Sequence, residues 1–149
     1  MRNENMEQIQ IVEINEVRAS YVERINELLN QLAPGLHPFT DSDLAEIVDS
    51  PDSHVFLIFC GGDIAGMLSV GSYRTPSGKK YWIEDVVVDN AFRGKGFGRE
   101  LVEYAVRYVG RQKGVSMMLT SAPERVAANE LYRSAGFCRK HTNVYKMKF

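Results

Sequence analysis

The chain has 149 residues, with 18 Lys and Arg against 19 Asp and Glu, a formal net charge of −1, 44% apolar and 25% charged residues. That is the composition of one ordinary globular domain over residues 1–149, large enough to bury a core without disulfide or metal staples. The near-neutral charge excludes a nucleic-acid binder that works through a general positive field, and no apolar run approaches the roughly 18 residues of a membrane span. Cys60 and Cys138 lie far apart and match no metal spacing. Residues 1–10 are polar and lack the apolar stretch of a signal peptide. The expectation is a cytoplasmic protein with no metal, no nucleic-acid partner and no membrane partner.

Residues 8–14 (QIQIVEI) alternate apolar and polar and predict a first strand. Over 18–32, Tyr21, Val22, Ile25, Leu28, Leu29 and Leu32 recur at helical spacing, and the breaker Pro34-Gly35 should stop the helix. A short helix follows over about 41–48, with Thr40 or Asp41 as N-cap. Two β-rich runs, 55–60 and 64–72, flank Gly61-Gly62-Asp63 and predict a hairpin. The turn Thr75-Pro76-Ser77-Gly78 leads to a fourth strand over 80–88.

A glycine-rich segment then opens a helix over about 98–113, which Gly114 should end. A fifth strand over 115–120 and a helix over 124–135 complete this half. The tail, 137–149, reads as one or two strands turning at Thr142-Asn143. The order predicts a mixed α/β fold: an antiparallel meander first, then a strand-helix-strand crossover with parallel pairing.

The segment 81–98 (YWIEDVVVDNAFRGKGFG) carries the chemistry. A β-branched strand runs into a loop holding Arg93, Gly94, Lys95, Gly96 and Gly98, then into an amphipathic helix. Glycines let successive N–H groups converge, the helix N-terminus adds a positive dipole end, and Arg93, Lys95 or Arg99 can supply charge at the rim. This is an anion site suited to a phosphate or pyrophosphate; the plainer alternative is a turn that needs glycines beside solvated basic residues. The dinucleotide fingerprint fails because Arg99 stands where glycine is required, and the Walker pattern fails because Gly96 follows Lys95.

The spacing Arg93-x-x-Gly96-x-Gly98 resembles the (Gln/Arg)-x-x-Gly-x-(Gly/Ala) signature of the GNAT superfamily of N-acetyltransferases. A second match lies in Ala128-Asn129-Glu130-Leu131-Tyr132 with Ala135-Gly136-Phe137: an Asn, a Tyr three residues later and a closing Gly-Phe. The resemblance covers roughly residue 56 to the C-terminus. It implies the acyl-CoA N-acyltransferase fold, a mostly antiparallel sheet of six or seven strands with helices on both faces, splayed between strands four and five. It also implies acetyl-CoA as acyl donor, a primary amine as acceptor in a ternary complex, and a possible homodimer through the C-terminal strands.

By the same resemblance, Val86, Val87 and Val88 border the pantetheine arm, with backbone groups of Val86 and Val88 pairing to it. The amides of residues 93–99, including Lys95 and Phe97 but chiefly Gly94, Gly96 and Gly98, hold the pyrophosphate. Asn129 bonds the cofactor arm, and Tyr132 acts as general acid toward the departing thiolate.

Strand periodicity puts Glu84 on the face of Val86 and Val88, and Asp85 on the other. Glu84 is the candidate base for the acceptor amine; a substrate-ammonium anchor, a structural carboxylate, Asp85 or a water relay are the alternatives. Tyr132 also fits a core role by its helical spacing. Ser121 and Arg125 offer a phosphate or substrate contact, or simply a cap and a surface charge. His37, His54 and His141 are scattered, and His37 fits a solvated loop.

The run from Glu84 to Val88, with Arg93 nine positions beyond Glu84, resembles glucosamine-6-phosphate N-acetyltransferases. The rest resembles bacterial members of unassigned substrate, so that substrate is not carried over. A non-catalytic acyl-CoA sensor, an enzyme for protein N-termini or lysines, and a purely structural domain are the rival readings. The last leaves the basic glycine turn unexplained.

Overall fold

A computed structural model describes residues 7–149; the opening residues 1–6 of the polar N-terminal stretch lie outside the described residues. The elements in chain order are β1 (Ile9–Glu13), α1 (Ala19–Leu32), α2 (Asp41–Asp49), β2 (Ser53–Cys60), β3 (Asp63–Thr75), β4 (Gly78–Val88), a 3₁₀ turn (Asn90–Phe92), α3 (Phe97–Gly110), β5 (Ser116–Met118) and α4 (Val126–Ser134).

The strands form one sheet in the order β1-β2-β3-β4-β5. The first four pair antiparallel, and β5 pairs parallel to β4 across the α3 crossover, as expected for a strand-helix-strand unit. Five strands form among the described residues, not six or seven. The tail beyond Phe137 takes no regular structure, although it alternates apolar and polar residues. Its Val144, Tyr145, Met147 and Phe149 all stand exposed. Alternation supplies β propensity, but a strand forms only where a neighbouring edge takes its hydrogen bonds, and among the described residues the tail forms no ladder with the β5 edge, from which a cleft separates it.

Each face of the sheet is covered by one pair of helices. Val22, Ile25 and Leu28 of α1 and Leu44 of α2 bury against Val55, Leu57, Met67 and Val87. On the opposite face Phe97, Leu101, Val102, Ala105 and Val109 of α3 and Tyr132 of α4 pack on Phe56, Ile58, Leu68, Val70, Tyr81 and Ile83. Alternation along the central strands sends successive apolar side chains to these two cores.

Local chemistry sets the helix ends. Thr40 and Asp43 form a reciprocal capping box that starts α2, satisfying two otherwise orphaned donors. Between α1 and α2 the chain is pinned by Asn26, whose amide exchanges 2.8 Å bonds with both the N–H and the C=O of Phe39.

The β3–β4 pair carries two features that position the site. Met67 faces Val87 while Ser69 faces Glu84, so two β4 residues, Asp85 and Val86, stand opposite Leu68 alone. This is a β-bulge, and Asp85 in it takes a left-handed φ of 50°. Asp is among the few non-glycine residues that tolerate it. Nearby, Gly66 lets the strands close in: a Cβ there would lie 2.6 Å from the Val87 carbonyl oxygen. Gly66→Ala should therefore destabilise the fold by about 1–3 kcal/mol through overpacking. Denaturant and thermal melts check this, and unchanged stability would refute so tight an approach.

Candidate active site

After Trp82 and Met118, the last paired residues, β4 runs on to Val88 with no β5 partner. The two strands part, and among the described residues the outer edge of residues 83–88 is left without a neighbouring strand. A cleft of about 870 Å³ opens there, bounded by Val86, Val87 and Val88, by the glycine loop, by α4 and, across the gap, by Gln31 and Leu32 at the end of α1.

The loop has the geometry of an anion cradle. Gly94 and Gly96 take φ of 80° and 83°, and a Cβ on either would meet nothing within 4 Å. Gly96 is the N-cap of α3, and its carbonyl receives the first helical bond from Glu100 N at 3.1 Å. The open amides of the first turn therefore face the cleft side of the loop, where the dipole end favours negative charge. At Gly98 an added Cβ would touch Leu131 at an ordinary 3.5 Å, which explains why the family signature admits alanine there.

Two of the three basic residues border this space. Arg93 also donates to the Val88 carbonyl at 3.2 Å. Arg99 is held by Glu103 at 3.2 Å and by the Ser134 hydroxyl at 2.7 Å. Lys95 is not at the rim: it turns away to Glu7, 3.3 Å distant.

Phe97 and Val87 border the cleft, yet their side chains are buried in the two cores, so they act as its supports. Tyr132 is 7% exposed and lines both this cleft and a second one of about 440 Å³ between β5 and the tail. Burial raises its phenol above the ordinary value, against a smaller lowering by Arg125.

Ser121 and Asn129 line the second cleft and not the first. Asn129 donates to the Ala122 carbonyl at 2.9 Å and so braces the loop before α4, while the Ser121 hydroxyl is buried with no partner among the described residues.

The bulge also corrects the position of Glu84. Tyr81 and Ile83 face the α3/α4 core, but beyond the bulge it is Val86 and Val88 that do so, while Val87 faces the α1/α2 core. The extra residue inverts the alternation, so Glu84 lies on the face opposite Val86 and Val88. Both carboxylates are exposed at the strand surface. Desolvation raises Glu84, and the charge of Asp85 raises it further; desolvation alone raises Asp85. An acidic pair inside a β-branched run was the available signal, since Asp disfavours strands and accepts a left-handed turn.

Further groups support the loop from outside any motif. Asp89, 8% exposed, receives the Ala91 N–H at 2.7 Å, Arg24 Nη2 at 2.7 Å and Gln31 Nε2 at 3.0 Å. The Ala91 amide, then Arg24 and Gln31, hold its carboxyl below the usual range against the opposing effect of burial. Arg24 and Gln31 lie 65 and 58 residues from Asp89, so no local pattern announces them.

An open strand edge, a side-chain-free turn at a helix N-terminus and three bordering arginines, Arg93, Arg99 and Arg125, fit an extended ligand that carries a phosphate or diphosphate. Comparison with known proteins agrees. Residues 22–137 match the acetyltransferase (GNAT) family model, and the chain belongs to that family. It is an acetyl-CoA-dependent N-acetyltransferase.

N-alpha-acetyltransferase RimI of Mycobacterium tuberculosis is 30% identical over 129 residues, 86% of this chain and 79% of the relative. Glucosamine 6-phosphate N-acetyltransferase of Arabidopsis thaliana is 28% identical over 144 residues, 93% of this chain and 94% of the relative. A crystal structure of glucosamine-6-phosphate N-acetyltransferase from Arabidopsis thaliana superposes with a TM-score of 0.78 over 95% of this chain and 99% of that one, at 28% identity.

Gly96→Asp should weaken acetyl-CoA binding by at least a hundredfold, because it sets a carboxylate at the cradle. Titration calorimetry on the folded variant is the check; unchanged affinity would place the diphosphate elsewhere.

Proposed function

We propose that the protein acetylates a primary amine by direct attack within a ternary complex, with Glu84 as base and Tyr132 as acid. The observation that carries this reading is Tyr132, a desolvated phenol at the junction of the two clefts, close to where β4 and β5 part. Acetyl-CoA supplies the acyl group as an activated thioester. The main-chain groups of Val86 and Val88 hold its arm as a further strand would, and the amides of residues 93–99 hold its diphosphate.

A primary amine is mostly protonated near neutral pH, so the acceptor must lose a proton before its nitrogen can bond to the acyl carbon. Glu84 takes that proton, directly or through one water, and its raised pKa suits exchange with an ammonium. As the C–S bond breaks, sulfur receives a proton from Tyr132, whose raised pKa keeps the phenol protonated at neutral pH, and the second proton that the nitrogen sheds as the amide forms returns to the phenolate through solvent.

Because the base must be ionised, activity rises with pH through the pKa of Glu84, which lies above the ordinary glutamate value of about 4.3. Glu84→Gln should abolish this acid limb and lower kcat by about 10²–10⁴-fold. Tyr132→Phe should lower kcat with acetyl-CoA affinity retained. CoA release measured across pH decides both, and a Glu84→Gln enzyme that keeps the acid limb would remove Glu84 as base.

Two named relatives act at different amines, an α-amine and glucosamine 6-phosphate, as their names state. The acceptor class is therefore assigned by turnover over aminosugar phosphates, amino acids, polyamines and N-terminal peptides. Acetyl-CoA binding without turnover on any of them would favour a sensor.

We place the enzyme in the cytoplasm, consistent with two free cysteines. We further propose a homodimer in which the alternating Tyr145, Met147 and Phe149, all exposed in one chain, pair with a second copy. Light scattering should report twice the 16.9 kDa chain mass. Deletion of residues 144–149 should return it to a monomer, and a monomeric full-length chain would refute the pairing.

A further inference from the structure

Two side chains of α1 fasten the helix to the start of the glycine loop. Arg24 and Gln31 stand seven residues, or two turns, apart on one face of the helix. Both donate to the same oxygen of Asp89, Arg24 at 2.7 Å and Gln31 at 3.0 Å. The carbonyl end of Gln31 turns to the main chain and accepts the N–H of Asn90 at 3.0 Å. The second oxygen of Asp89 accepts the Ala91 N–H, which folds the chain into the 3₁₀ turn that enters the loop.

Arg24 also donates twice to the Ile64 carbonyl, at 3.0 and 2.8 Å, and Asp89 N donates to the Ala65 carbonyl at 2.8 Å. Three separate pieces of chain thus meet at one buried carboxylate: α1, the start of β3 and the exit of β4. Among the described residues, the loop that follows carries the cradle, and Gln31 itself forms part of the cleft wall.

We propose that Asp89 and Gln31 are positioning residues that couple α1 to the acetyl-CoA cradle, so that acetyl-CoA binding and the order of α1 rise and fall together. This rests on the reading of the cleft as the acetyl-CoA site. Asp89 and the N–H of Asn90 are held at fixed distance from α1, so the direction in which the chain leaves β4 is set by the helix. Residues 93–99 start three positions after Asn90 and inherit that direction. Conversely, a diphosphate that immobilises the loop immobilises Asp89, and through it the last two turns of α1. Arg24 is held on Ile64 as well, so a change at Gln31 loosens the helix end without freeing the whole helix.

The experiment uses the full chain and acetyl-CoA as the probe. Calorimetry gives affinity, and amide hydrogen exchange gives the protection of Ala19–Leu32 with and without acetyl-CoA. In the unaltered protein, acetyl-CoA should slow exchange over the last two turns of α1. Gln31→Leu keeps the bulk of the side chain but removes both bonds; it should weaken acetyl-CoA binding about tenfold and abolish the added protection of α1. Asp89→Asn should act in the same direction. If Asp89→Asn fails to fold, the half-buried Gln31 position carries the test alone.

A Gln31→Leu protein that melts earlier yet binds acetyl-CoA with unchanged affinity and keeps the α1 protection overturns the coupling, leaving a structural contact only. Gly96→Asp separates the two claims. If it retains full affinity, the reading of the cleft fails, and the coupling falls with it. If it loses affinity while Gln31→Leu does not, only the coupling is wrong.

Discussion

The architecture turns on the point at which β4 outlives β5. Three residue pairs, Lys80 to Trp82 against Ser116 to Met118, join the strands. Beyond them β4 has six more residues and, among the described residues, no strand beside its outer edge. Backbone donors and acceptors that lose a partner must find another or remain in water. An extended ligand is a geometric substitute for the missing strand. The cleft, the placement of the glycine loop at its end and the approach of α4 across it all follow from this divergence. A β5 that paired along the whole of β4 would leave no site.

The bulge at Asp85 divides the chemistry between the two faces of the sheet. Without the extra residue, Glu84, Val86 and Val88 would project together to the α1/α2 side, opposite Tyr81 and Ile83. With it, Val86 and Val88 turn to the α3/α4 side while Glu84 shares the face of Val87 and the N-terminal helices. Glu84 thus lies on one face of the sheet and Tyr132 on the other. The left-handed φ of Asp85 is the local strain that this arrangement needs, and an Asp side chain tolerates it at modest cost.

The glycines of the loop and the arginines beside it have different duties. Gly94 and Gly96 adopt left-handed conformations with open space around them, which leaves amides accessible. Arg93 and Arg99 are each tied to protein groups at the border of the cleft. Lys95, the third charge in the motif, serves the fold by reaching Glu7 at the beginning of the described chain. Sequence proximity made the three look equivalent; the loop's path separated them.

Local pattern alone determined the element order through α4, the start of α2 to within Thr40 or Asp41, the hairpin at Gly61-Gly62, the parallel crossover and the family through its two motifs. All of these depend on residues close in the chain, where periodicity, turn chemistry and spacing act directly. Strand pairing of the tail was not determined, because alternation in Tyr145, Met147 and Phe149 states a preference and not a partner. Nor was the face of Glu84, because one bulged residue reverses every later side chain in a strand. The meeting of Arg24, Gln31 and Asp89, and the role of Gln31 and Leu32 as a cleft wall, were decided only by tertiary structure. Those contacts join residues tens of positions apart, and only the packing of α1 on the sheet brings their polar atoms within hydrogen-bonding distance.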